Sequence, residues 1–301
     1  MSGLLQQVVN GISLGSIYAL IALGYTMVYG VLRFINFAHG DVFMVGAYVG
    51  FYVAPYIIPL FGGPSFGAGL AILLLAMAVC AVLGATIEKL AYRPLRARPR
   101  LTVLITAIGV SLFLEYGGQL VFGPDPKSFP QLFPSGNVVS TANLVIGTNA
   151  LVVIVTAVVL MLALRFVVYH TKLGTAMRAV SHSHRTASLM GVNIDTVITF
   201  TFVIGSALAA AAAILYASVY PSLNPLMGLF PGLKAFVSAV LGGIGNLLGA
   251  ALGGLVLGLT ETFVAGYISS TFRDALAFGI LILILLFRPS GLLGRQESEK
   301  V

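Results

Sequence analysis

Long apolar runs separated by short polar breaks dominate this chain. They fall at Leu4–Leu32, Val42–Leu60, Phe66–Tyr92, Thr102–Phe122, Ala150–Tyr169, Thr196–Tyr220, Asn246–Ile268 and Asp274–Phe287, with a shorter stretch at Leu233–Gly245. A helix needs ~20 apolar residues to cross about 30 Å of hydrocarbon, and lipid tolerates only backbone whose hydrogen bonds are satisfied internally. The pattern predicts an all-α polytopic membrane protein of about eight to nine transmembrane helices, including broken or re-entrant segments. No polar stretch is long enough for a soluble domain, so residues 1–301 read as a single transmembrane domain with an inner loop at 170–195.

Basic residues orient the runs. Arg93, Arg96, Arg98 and Arg100 crowd one loop, Lys172, Arg178 and Arg185 a second, and Arg288, Arg295 and Lys300 the C-terminus. The positive-inside rule makes all three cytoplasmic. Segments 123–149 and 221–232 are rich in Pro, Gly, Asn and Ser, hold only Lys127 as a basic residue, and read as outer loops. Parity between the second loop and a cytoplasmic C-terminus requires Leu233–Gly245 to cross as well, as a short or tilted helix. That count is nine, and it puts the N-terminus outside; a re-entrant dip near Arg33 would reverse that side.

Composition agrees with the pattern. Hydrophobic residues make up 58% of the 301 and charged ones 8%, with a mean hydropathy of +1.03, against about 25% charged in soluble domains. The first charge is Arg33, so the start lacks the basic region of a secretory signal peptide and is expected to be a mature segment. A lone cysteine, Cys80, excludes an internal disulfide and offers no Cys-based metal site. His39, His182 and His184 have no metal-ligand partner at helical spacing. The formal charge of +7 sits in inter-span loops without aromatic interleaving, which argues against nucleic acid and for lipid. No catalytic centre, metal site or cofactor site is recognisable.

Two breaks carry chemistry. The segment L-R-F-I-N-F-A-H-G-D, Leu32–Asp41, sets Arg33, Asn36, His39 and Asp41 between strongly apolar runs, and L-G-G-I-G-N-L-L-G-A, Leu241–Ala250, interrupts the second half. Unwound backbone inside a membrane is tolerated only where it is buried in protein or faces water, so paired breaks point to a substrate path through Asn36, His39, Gly242, Gly243 and Gly245; the alternative is an ordinary turn at the membrane surface. Glycines at 245, 249, 253, 254 and 258 place small residues in stripes that let another helix approach closely. Glu115 and Glu261 interrupt spans about 20 and 22 Å from their inner ends at 1.5 Å per residue, and Lys234 falls at similar depth. A charge at the bilayer centre costs about 2.5–3.5 kcal/mol on insertion scales, so Lys234 is expected to pair with Glu261 or Glu115 as a polar set at the outer mouth; otherwise each acid snorkels or is protonated.

The inner loop contains helix-forming sequence, T-A-M-R-A-V-S-H-S-H-R-T-A-S-L-M, followed by Gly191 as a helix C-cap, with Asp195 placed to cap the next span. A short helix along the membrane face is either a docking element or a solvated surface turn. Four motifs in order, N-G-I-S-L-G-S-I-Y-A-L-I-A-L-G-Y-T-M-V-Y-G (Asn10–Gly30), I-N-F-A-H-G-D (Ile35–Asp41), A-S-L-M-G-V-N (Ala187–Asn193) and A-V-L-G-G-I-G (Ala239–Gly245), resemble the LivH-type permease subunit of bacterial branched-chain amino acid ABC importers. The likeness extends from about Asn10 to Arg295.

The resemblance implies an inner-membrane permease forming half of a translocation pathway. Its implied partners are a second homologous permease, two cytoplasmic ATP-binding subunits and a periplasmic amino-acid-binding protein. The chain has no G-x-x-x-x-G-K-[ST] loop, which fits ATP hydrolysis on a partner and not on this chain. Such importers dock the ATPase on a loop patterned E-A-A-x-x-x-G. The aligned residues here are Arg185, Thr186, Ala187 and Gly191; Ala187 and Gly191 match, while Arg185 replaces the usual acid. Relatives in the same family move urea or short amides, which leaves that substrate class open, and an ion-coupled secondary transporter or channel is the competing class.

Overall fold

The computed structural model describes residues 2–96, 98–141, 144–288 and 290–294. Arg295 and Lys300, two of the basic C-terminal residues, lie outside them. Among the described residues eight helices are long and apolar enough to cross a membrane, and a ninth, at Leu229–Gly242, is apolar but shorter. The helices are α1 (Ser2–Leu32), α2 (His39–Leu60), α3 (Phe66–Ile87, prolonged by a π turn at Glu88–Tyr92), α4 (Arg100–Phe122), α5 (Thr148–His170), α6 (Lys172–His182), α7 (His184–Leu189), α8 (Ile194–Val219), α9 (Leu229–Gly242), α10 (Leu247–Tyr267) and α11 (Arg273–Phe287). Short strands β2 (Asn137–Thr141) and β3 (Leu144–Gly147) form a hairpin, and β1 (Lys127–Ser128) pairs with β4 (Ser222–Leu223).

Helix ends gather on two faces. The hairpin face holds the start of α1, where Gln6 accepts a hydrogen bond from the Val145 backbone N–H, and the Lys127 ammonium donating to Tyr52 of α2. The opposite, basic face holds Arg93 and Arg96 beside Asp195 at the start of α8, and His184 within 2.9 Å of the Val31 carbonyl at the end of α1. The N-terminal segment therefore lies on the face opposite the basic loops, as parity requires.

A dip after α1 does exist, but it does not reverse that side. His39 packs against Gly24 and meets the Tyr25 ring at 4.6 Å, eight residues, or about 12 Å, before the end of α1. The chain turns back into the layer from the basic face and α2 completes the crossing to the hairpin face. A matching dip lies near α9. Gly228 and Gly232 pack on Gly40, so α9 begins inside the layer, and residues 229–232, expected in an outer loop, are helical. Pro231 and two glycines look like a loop in sequence, yet Pro in a first helical turn removes no needed donor, and the glycines serve contact with α2.

The centre of the bundle is α1, almost wholly enclosed, with α8 and α10 against it. The glycine stripe explains that closeness: a Cβ on Gly258 would collide with Gly15 of α1, so these two backbones can touch only without side chains. Gly249 and Gly253 of the same helix face α9 instead, and Gly245 precedes the helix. Cys80 is buried, its sulfur 3.6 Å from the Val42 carbonyl.

Candidate functional site

The inner loop is built as two helices, where one was expected. Ser183 breaks the run and caps α7 by accepting from the Thr186 N–H. The end of α7 is a Schellman turn: Val192 N–H donates to the Ala187 carbonyl and Gly191 N–H to Ser188, with Gly191 at φ +81°. Open space around a Cβ there means that only backbone strain opposes substitution. Gly191→Val should therefore destabilise the loop by about 1–2 kcal/mol, read as faster proteolysis between α6 and α8 while the membrane-spanning part keeps its melting temperature.

Asp195 does not cap α8. Asn193 does, accepting from the Thr196 N–H at 3.1 Å, while Asp195 instead pairs with Arg96 and, at 4.0 Å, with Arg93. Glu88, fully buried in the π turn, takes a two-pronged hydrogen bond from Arg93 at 2.8 and 3.2 Å, and Thr199 of α8 donates to it at 2.8 Å. The hydrogen bond to Glu88 raises the Arg93 pKa above the ordinary arginine range, and burial lowers that of Arg96. This cluster fastens the end of α3 to the start of α8.

Within the loop, Arg185, Thr186 and Gly191 are exposed, but Ala187 is not: at 4% exposure it belongs to the chain's own core. The surface that projects is Leu189 and Met190, 80% and 79% exposed. Sequence reading passed over them because apolar residues after a helical run resemble core. Adjacent exposed apolar side chains on a polar loop are available for contact with a partner or with lipid.

At the dip, Asn36 is buried and accepts from the Tyr92 hydroxyl at 2.7 Å, tying the broken segment to the end of α3. His39 is buried, and its Nε2 has no hydrogen-bond partner among the described residues. Gly242 packs on Gly249, and Gly243, at φ +101°, lies under Ser290 and Gly294. Leu292 and Leu293 donate backbone hydrogen bonds to the Leu241 and Gly242 carbonyls. The second break is thus a turn at the basic face, covered by residues 290–294, and Gly245 meets α1 at Gly30. It does not mirror His39 in depth; the α9 dip at Gly228 does.

The polar set of Glu115, Lys234 and Glu261 divides. Lys234 lies 2.9 Å from Glu261 and 2.7 Å from Asp274, and Arg273 is 3.1 Å from Glu261. Tyr18 donates to Glu261 at 2.9 Å. Glu115 is elsewhere, facing Asp41 of α2, which accepts a hydrogen bond from Ser111. Depth along a helix is legible in sequence, but azimuth between helices is not, and azimuth parted Glu115 from the rest. Arg273 and Asp274, adjacent at the start of the last span, were the available signal for the missing members. Cavities of about 510 and 320 Å³ adjoin the Lys234–Glu261–Arg273 cluster on the hairpin side.

Residues 7–285 match the family described as branched-chain amino acid transport system / permease component. The chain belongs to this family. A high-affinity branched-chain amino acid transport system permease protein, BraD, from Pseudomonas aeruginosa is 45% identical over 99% of the chain and 98% of its own length. Permease proteins named LivH from Salmonella typhimurium and Escherichia coli K12 are each 43% identical over 99% of the chain and 97% of their own length. These permeases are transport components, and the eight apolar helices make the chain a multi-pass membrane protein of the same kind.

Proposed function

We propose that the chain is one transmembrane permease domain, half of the pathway of an ATP-driven, binding-protein-dependent importer of branched-chain amino acids in a bacterial inner membrane. A second homologous permease, two cytoplasmic ATP-binding subunits and a periplasmic amino-acid-binding protein complete it, and ATP is hydrolysed on those partners. The observation that carries the reading is the α6–α7 loop. It joins α5 to α8, packs on α1 through His184, and presents Leu189 and Met190 outward. A partner gripping those two side chains would move the ends of α1, α5 and α8 together, and α1 leads directly into the dip at Asn36 and His39. Arg185 stands where an acid is usual, so its contact on the ATPase is acidic or a helix C-terminus.

The test is leucine uptake into proteoliposomes holding the full complex, with urea and a short amide as competitors. Uptake should need ATP and the binding protein and should persist when the proton gradient is collapsed at constant ATP; loss under that last condition would mark an ion-coupled transporter. The basic face is the cytoplasmic one, with the C-terminus. Reporter fusions after Arg98 and Gly191 should accordingly read cytoplasmic and one near Pro134 external, since Lys and Arg dominate sidedness. An external reading at Arg98 would invert the scheme.

A further inference from the structure

We infer that the cleft formed by α1, α8, α9, α10 and α11 around Lys234, Glu261, Arg273 and Asp274 is a transit subsite for a zwitterionic amino acid with an aliphatic side chain. This rests on the importer reading and adds to it a place in the chain where substrate is recognised.

The charges come in two layers. Lys234 and Glu261, with side chains 8% and 2% exposed, form the enclosed floor, and Tyr18 fixes Glu261 from α1. Above them Arg273 and Asp274, consecutive in the first turn of α11, are 32% and 50% exposed and line the cleft. Two cations balance two anions, so the cluster as a whole favours neither a net cation nor a net anion. A ligand carrying both an ammonium and a carboxylate can exchange partners with each layer. Its ammonium has the open side of the Asp274 carboxylate, and its carboxylate has the Arg273 guanidinium. The Arg273 Nε lies 3.1 Å from Glu261 but makes no hydrogen bond with it, leaving a buried donor unused among the described residues. An Arg fork suits a carboxylate geometrically.

The remaining wall fits the third part of the ligand. The cleft is mostly polar, and Leu14, Phe230, Pro231 and the Tyr216 ring supply its smaller apolar part. Its volume, about 320 Å³, is at the small end of the range for ligand sites, roughly 300–1,000 Å³. It also has an approach. The cavity of about 510 Å³ at the hairpin face, lined in part by Gln7, Asn10 and Asn149, shares Leu14, Tyr220 and Arg273 with the cleft, so the two are continuous at these residues. A substrate coming from the hairpin side meets Arg273 first. Because every charge already has a protein partner, the substrate replaces ion pairs and does not fill vacancies, which keeps binding weak enough for passage.

The experiment uses the full complex in nanodiscs without binding protein. Cys80 is buried and is the chain's single cysteine, so Ser270→Cys, at the cleft rim, can be labelled selectively with a charged methanethiosulfonate and followed in this subunit after denaturing electrophoresis. L-Leucine at about ten times its half-protecting concentration should slow labelling about tenfold by mass action. 4-Methylpentanoate and 3-methylbutylamine, each lacking one of the two charges, should not protect at the same concentration. Asp274→Asn should raise the leucine concentration needed several-fold. Phe230→Cys, on another part of the rim, gives the same readout should Ser270→Cys not assemble. Unchanged labelling in saturating leucine, or equal protection by either single-charge analogue, overturns the subsite. Wild-type leucine uptake measured alongside separates the two failures: normal uptake without protection removes only the subsite, whereas absent uptake removes the importer reading beneath it.

Discussion

Replacing Lys234 by Met should produce a large loss of stability. Lys234 is the bridge between Glu261 and Asp274, and Glu261 has almost no access to water. Removing one partner of a buried pair leaves an uncompensated charge and costs about 3–5 kcal/mol. Arg273, one-third exposed and poorly aligned with Glu261, offsets only part of this. The consequence is local as well as global. Apart from Ala277, α11 has no fully buried residue, so the ion cluster and the small patch of Leu14, Tyr18, Val237 and Leu257 beside Ala277 are what hold it to the bundle. The expected result is a lower apparent melting temperature in detergent and early proteolysis near Ser269. Glu261→Gln in the same chain should recover most of the loss, because a neutral amide no longer needs the cation. A double mutant no more stable than Lys234→Met would show that the pair is not coupled.

Replacing both Leu189 and Met190 by Asp should abolish recovery of the ATP-binding subunit with the permease while leaving the permease itself intact. Both side chains are about four-fifths exposed, so they contribute little to the chain's own fold. Burying each against a partner is worth about 1.5–3 kcal/mol, and losing both corresponds to at least roughly 100-fold in affinity. Ala187→Trp makes the contrast. Ala187 is inside the chain's own core, and over-packing such a position costs about 1–3 kcal/mol, so that variant should lower the melting temperature before it touches docking. Normal ATPase recovery and normal uptake with the Asp pair would reduce the loop to a solvated surface turn.

Much of the architecture was legible because lipid imposes a one-dimensional rule. Length and apolarity alone locate the eight long helices, the distribution of Arg and Lys separates the basic face from the hairpin face, and parity asks for one further short apolar segment, where the chain has the shorter helix α9. Gly191 could likewise be read as a left-handed cap, since a helical run followed by Gly leaves few other conformations. The glycine stripe announced a close helix approach, though not that Gly254 and Gly258 face α1 while Gly249 and Gly253 face α9.

What the sequence could not supply is rotation about helix axes and depth where the helix is interrupted. Glu115, Glu261 and Lys234 fall at comparable depth along their helices, yet only the packing of α4 on α2, and of α9 and α10 on α1 and α11, decides that Glu115 meets Asp41 while Lys234 meets Glu261 and Asp274. The same holds for the breaks: 241–246 is the more glycine-rich, but residues 290–294 close it at the basic face, and the interruption that reaches into the layer opposite His39 is at Gly228. Periodicity fixes a residue's height because 1.5 Å of rise accrues with every residue in a helix. Which neighbour it meets depends on contacts between segments far apart in sequence, and those exist only in the folded chain.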